Sequence, residues 1–134
     1  NLRRGLQEAG LRYHWQGDAL GGRREVTPGI NGYEGLAGEA LRGFAQYMNT
    51  GAFRAGLAEC LGLAEQLATT IMCAEQNPEH CHRQLIGDYL VLRDHDVQHI
   101  TASDQLVPHT VNPAARFEGG LIYYDRGLQT DLGL

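Results

Sequence analysis

The sequence predicts an α/β fold: a Rossmann-like three-layer domain with a mainly parallel sheet. Three observations predict it. Leu67-Ala68-Thr69-Thr70-Ile71-Met72-Cys73 is a continuous apolar, β-branched run of strand length, the pattern of a strand buried on both faces. Helical and strand-like periodicities alternate along the chain. Asn77-Pro78 directly after the run supplies an N-cap and a first helical residue, as in a strand–turn–helix unit.

The elements follow in order. Asn1 is a helix N-cap, Leu2, Leu6 and Ala9 share an apolar face, and Gly10 ends the helix. Leu11 to Trp15 alternates as a strand does. Residues 17–32 form a glycine-rich loop around Gly21-Gly22-Arg23-Arg24. Leu36, Ala40, Phe44 and Met48 predict a helix over 33–48, and Thr50 caps the next, with Phe53, Leu57, Cys60, Leu61 and Ala64. A helix to about Leu92 faces the core with Leu85, Ile86, Tyr89 and Leu90. Asp96 to Ile100 and Leu121 to Tyr124 are short strands. Residues 1–110 are expected to form one α/β domain and 111–134 a C-terminal extension, since no repeat or linker marks a second domain.

Composition narrows the function. The chain has 134 residues and a net charge of −5, so no general nucleic-acid footprint covers its surface. All eleven basic side chains are arginines. An anion site must therefore use Arg, His or backbone N–H, and a lysine Schiff base is excluded. No apolar run approaches the roughly 20 residues of a membrane span, and Asn1-Leu2-Arg3-Arg4 leads into no secretory core segment. Three cysteines, an odd and sparse set, fit a reducing cytoplasm better than a disulfide scaffold.

Chemistry concentrates between residues 73 and 83. Cys73, Glu75, Cys81, His82 and Arg83 bracket the expected strand–helix turn. In open parallel sheets ligands bind beyond the strands' carboxyl ends. The following helix start would turn N–H groups and a positive dipole end to the same space. That suits an anionic small molecule or a nucleic acid, with Arg23 and Arg24 beside Gly21 and Gly22, and His99, as further ligand-binding residues. Cys73 is the candidate nucleophile and Glu75 or His82 the acid/base group. A phosphatase-type cradle does not fit, because it places Cys and Arg at the two ends of one short loop. Cys73, Cys81 and His82 could take zinc, although Cys-x7-Cys-His is not a knuckle spacing. A Cys73–Cys81 redox pair is a third chemistry. Two small thiols filling a joint, with a Glu75–Arg83 ion pair, is the non-functional account. No particular cofactor is implied. Cys60 is expected in the core, and His95 and His109 at the surface.

These residues resemble a known family. Met72-Cys73-Ala74-Glu75, Pro78, Cys81-His82-Arg83 and Val97-Gln98-His99-Ile100 are similar to the bacterial and archaeal "domain of unknown function 488" family. So are Leu20-Gly21-Gly22-Arg23 after Gly10-Leu11-Arg12-Tyr13, and Phe44-Ala45-Gln46-Tyr47-Met48 before Phe53. The resemblance covers most of residues 1–110. It implies an α/β fold with a parallel sheet and brings no catalytic assignment. Family members usually begin with a strand, a helix and a second strand ahead of the point where this sequence starts. The chain is thus expected to be a fragment or a divergent member that exposes apolar sheet or helix surface.

The last residues, Gln129-Thr130-Asp131-Leu132-Gly133-Leu134, resemble the short peptide that docks bacterial repair and replication proteins on the sliding clamp. Leu132 and Leu134 would fill an apolar pocket while the Gln129 amide bonds at its rim. A non-catalytic adaptor in DNA maintenance, with structural thiols, is the alternative to an enzyme.

Overall fold

A computed structural model describes residues 1–73, 81–101 and 104–127. Its helices are α1 (Leu2–Glu8), α2 (Gly17–Leu20), α3 (Glu39–Tyr47), α4 (Gly51–Gln66) and α5 (Arg83–Leu92). Its strands are β1 (Gln98–Thr101), β2 (Gln105–Pro108), β3 (Ala115–Glu118) and β4 (Leu121–Tyr124). Among the described residues β1 pairs with β2 and β3 with β4, both antiparallel.

This arrangement corrects the expected three-layer, Rossmann-like fold with a parallel sheet. Among the described residues there are five helices and two small antiparallel hairpins, and no parallel pair. A strand needs a neighbour for its N–H and C=O groups. Residues 67–73 join no strand ladder among the described residues and run as irregular chain, with Leu67 49% and Met72 54% exposed. Only Ile71 of that run packs on the core. Leu11 to Trp15 is likewise unpaired, and Trp15 is 63% exposed. Apolar continuity and alternation mark what a segment could bury; a ladder partner decides whether it becomes a strand.

The helical expectations fare better. The Asn1 side chain accepts from the Arg4 N–H at 2.8 Å, and Thr50 Oγ1 accepts from the Phe53 N–H at 3.3 Å, so both caps hold. Gly10 ends the first helical stretch at φ +81°, where a side chain would be strained. The expected helix over 33–48 forms only from Glu39.

The core is an aromatic stack between elements. Phe44 of α3 meets Phe53 of α4 edge-on at 6.0 Å, Phe53 meets Tyr89 of α5 at 5.2 Å, and Tyr89 meets Phe117 of β3 at 5.1 Å. Ile122 and Tyr124 of β4 are fully buried, and the Asn49 side chain pairs with both backbone groups of Ile122. The core therefore runs through residue 124. No helix among the described residues is long and apolar enough to cross a membrane.

Asp88 on α5 is 1% exposed and joins three elements. Its carboxylate accepts from His109 Nε2 at 2.7 Å, the Asn112 N–H at 3.0 Å and the Tyr124 hydroxyl at 2.9 Å. Burial, then the Asp88 charge, pushes the Tyr124 phenol far above its ordinary value, so it stays a donor. His109, expected at the surface, has a side chain only 1% exposed.

Removing the Asp88 acceptor orphans three buried donors. Asp88→Ala should cost about 3 kcal/mol and Tyr124→Phe about 1 kcal/mol in urea unfolding. A second test uses acid. Asp125 is bound by Arg116, Nε to Oδ1 at 2.5 Å and NH2 to Oδ2 at 3.1 Å. That hydrogen bond holds the carboxyl below its ordinary 3.8. The unfolded chain then takes up the proton first, so the pair's contribution is complete above about pH 4 and is lost as pH falls through the folded value. Arg116→Met should flatten the acid limb of a stability–pH curve below pH 4 and leave its slope near neutrality unchanged.

Candidate functional site

The site forms where the irregular chain ending at Cys73 meets the start of α5. Cys81 is buried at 1% exposure and Cys73 is half-buried. Their Sγ atoms lie 3.1 Å apart and are not bonded. Arg83 donates from Nε to Cys81 Sγ at 2.9 Å and from its backbone N–H at 3.4 Å. Its guanidinium also hydrogen-bonds Cys73, and these sulfur contacts raise the Arg83 pKa, the bond to Cys81 most. A permanent cation thus faces both sulfurs, and the first N–H of α5 faces Cys81.

His82 completes the cluster. Its ring nitrogen and the two sulfurs lie within 4.8 Å of one another. The ring meets Phe44 at 4.9 Å, and a Cβ on Gly22 would come within 2.5 Å of Nδ1. Gly22 is therefore the residue that lets the glycine-rich loop close over the imidazole. Burial lowers the His82 pKa first, and the Arg83 and Arg24 charges lower it further, against a raising hydrogen bond at the Leu20 backbone. The ring is neutral near pH 7.

Two sulfurs and a neutral imidazole suit a soft divalent cation such as zinc. Sulfurs sharing a tetrahedral zinc stand about 3.8 Å apart, given bonds of about 2.3 Å. The Sγ atoms here are 3.1 Å apart, closer than that spacing and well beyond the about 2.05 Å of a disulfide.

The structure brings together Cys73, Cys81, His82, Arg83 and Gly22. Arg24 lies close enough to act on His82, but it is committed elsewhere. Its Nε donates to the Gly21 carbonyl at 3.0 Å, and its guanidinium stacks 3.7 Å over Tyr47. Arg23 is exposed. His99 on β1 feels the Arg83 charge and bonds His109, Nε2 to Nδ1, at 2.6 Å. Glu75, Gln129, Leu132 and Leu134 lie outside the described residues, as does the Asn77-Pro78 turn. Arg83, assigned to Glu75 in the non-functional account, is engaged with the thiols. Two surface hollows, one lined by Gln7, Arg12, Tyr13 and His14 and one by Val26, Tyr33, Arg42 and Gln46, lie apart from the sulfurs.

Asp88 and His109 were not singled out from the sequence as site residues. The signal was present in Leu85-Ile86-Gly87-Asp88-Tyr89-Leu90, where one carboxylate interrupts an apolar helix. A buried carboxylate calls for partners. Gly87 is the second sign, since a Cβ there would strike the His109 ring at 2.8 Å.

Fold and site together define a small helical domain with two hairpins, built round an arginine-held thiol pair. The chain belongs to the family described as "Domain of unknown function DUF488", whose model matches residues 1–90. No curated protein and no solved structure matches the chain.

The His82 electrostatics are directly measurable. Its ring protons should titrate below 6.5 in an NMR series. In Arg83→Gln the midpoint should rise, because one opposing charge is gone, and should stay below 6.5, because burial remains the larger cause.

Proposed function

We propose that this chain is a thiol-dependent enzyme acting on an anionic ligand of the phosphate or nucleotide class, with Cys73 as the nucleophile. One observation carries the reading. The partly exposed Cys73 sulfur lies 3.1 Å from Cys81, and Arg83 hydrogen-bonds both. Cys81 S–H and the guanidinium are donors placed to hold negative charge on Cys73 Sγ. Cys81, buried and fixed by Arg83, positions its neighbour. Arg23, exposed on the loop that covers His82, supplies a cation at the rim for the ligand's charge.

Cys60 provides an internal control. It is half-buried on α4, and burial followed by the Glu59 charge pushes its thiol pKa up. Iodoacetamide should alkylate Cys73 at least ~10-fold faster than Cys60 at pH 7, as read by peptide mass spectrometry. Arg83→Gln should remove most of that advantage while the chain still unfolds cooperatively. Equal rates at Cys73 and Cys60 would refute a nucleophilic Cys73. Stoichiometric zinc in the purified protein, with Cys73 shielded until chelator is added, would replace the nucleophile with a metal centre.

A further inference from the structure

We infer that Cys73 and Cys81 are a redox-active pair that takes hydroperoxides, with Cys73 as the sulfur oxidised first and Cys81 as the thiol that resolves it to a disulfide. The inference deepens the thiol-enzyme reading and rests on it, because it needs the same reactive Cys73. It gives the buried Cys81 a chemical role and the site a reversible off-state.

The two sulfurs differ in the ways such a pair requires. Cys73 is half-buried and Cys81 is 1% exposed, so a small oxidant in solvent meets Cys73 first. Their 3.1 Å separation leaves about 1 Å of travel to a disulfide bond of about 2.05 Å. The inner thiol is held in place. Arg83 donates to Cys81 Sγ at 2.9 Å from Nε and at 3.4 Å from its backbone N–H, and the Cys81 carbonyl accepts the Gln84 N–H at 3.0 Å. The outer thiol ends a segment that joins no strand ladder among the described residues, so its approach breaks no ladder hydrogen bond.

The surroundings suit a hydroperoxide. Its O–O bond is broken by a thiolate, and a partly exposed sulfur beside a permanent cation is the setting that favours one. Arg83 supplies that cation to both sulfurs. A sulfenic acid formed on Cys73 then has a second sulfur already in contact. Cys81 intercepts it before another oxidant molecule arrives, which stops Cys73 from climbing to the sulfinic acid.

Two steps balance. The Cys73 thiolate attacks the terminal oxygen of the hydroperoxide, an S–O bond forms and the O–O bond breaks. The sulfur loses two electrons and the peroxide gains them. The departing oxygen takes up the proton that Cys73 gave to solvent, and leaves as an alcohol, or as water from hydrogen peroxide. Cys81 Sγ then attacks the Cys73 sulfur, the S–S bond forms and the S–O bond breaks. Hydroxide leaves with the Cys81 proton as water. Two thiols and one hydroperoxide become a disulfide, an alcohol and water. The disulfide offers no thiolate to an anionic ligand, so the nucleophile is off until a thiol reductant restores it.

The experiment treats the whole reduced chain with hydrogen peroxide and reads it by mass spectrometry. The intact mass should fall by two hydrogen atoms, and a non-reduced digest should show Cys73 joined to Cys81 with Cys60 still a thiol. Alkylation of Cys73 by iodoacetamide should drop at least ~10-fold in the oxidised chain and recover with dithiothreitol. In Cys81→Ser, dimedone should trap a sulfenic acid on Cys73 at least ~10-fold more than in the unaltered chain. The joined peptide is read without any substitution, so the test stands even where Cys81→Ser fails to fold. An unchanged mass, sulfinic acid on Cys73 without the joined peptide, or a bond to Cys60 or between two chains would overturn the inference while leaving the nucleophile intact. Zinc that shields both sulfurs from peroxide until chelator is added would overturn it in favour of a metal centre. A Cys73 no faster than Cys60 with iodoacetamide in the reduced chain would bring down the thiol reading and this inference with it.

Discussion

The structure turns on the carboxylate of Asp88. An anion with 1% exposure in an apolar helix is tolerable only if its lone pairs are filled, and the fillers come from distant parts of the chain. Tyr124 brings β4, Asn112 brings the connection before β3, and His109 brings the end of the β1–β2 hairpin. Dispersion and burial hold the aromatic stack together, and they are tolerant of small slips. A hydrogen-bonded carboxylate is not, so Asp88 sets the register of α5 against both hairpins. Because α5 begins at Arg83, the same register places the guanidinium against the sulfurs.

The thiol site and the Asp88 network are thus two ends of one helix. At its first residue, Arg83 donates to Cys81 and Cys73 and acts on His99. At its sixth, Asp88 holds His109, which holds His99. The glycines complete this packing. Gly87 leaves space for the His109 ring and Gly22 for His82, and in both places a methyl group would collide with an imidazole.

The local parts of this design were legible in the sequence, and the tertiary parts were not. Caps at Asn1 and Thr50 depend on two or three neighbouring residues, and both appear as expected. The cluster of Cys73, Cys81, His82 and Arg83 is short-range as well, and the family resemblance holds over residues 1–90. The parallel sheet depended on partners that periodicity cannot supply. Residues 67–73 carry a strand's composition without a ladder, and β1, expected to join a parallel sheet, folds back on β2 as a hairpin. His109 was misplaced for a related reason. Its neighbours Pro108 and Thr110 suggest a surface loop, and only a carboxylate 21 residues earlier makes its burial favourable.

The β1–β2 hairpin bears on how the protein behaves in concentrated solution. Ile100 and Leu106 face each other across the ladder and are 65% and 61% exposed, with Val107 beside them at 45%. Neither strand carries an acidic or an arginine side chain, and no described strand covers either outer edge. Open edges flanked by apolar, uncharged residues are templates for further strands, and Pro108 guards only one end. Colloidal stability should therefore be governed by this ribbon rather than by the net charge of −5. A single charged residue at Leu106, away from Asp88 and the sulfurs in the hydrogen-bond network, is where solubility could be raised without disturbing the site.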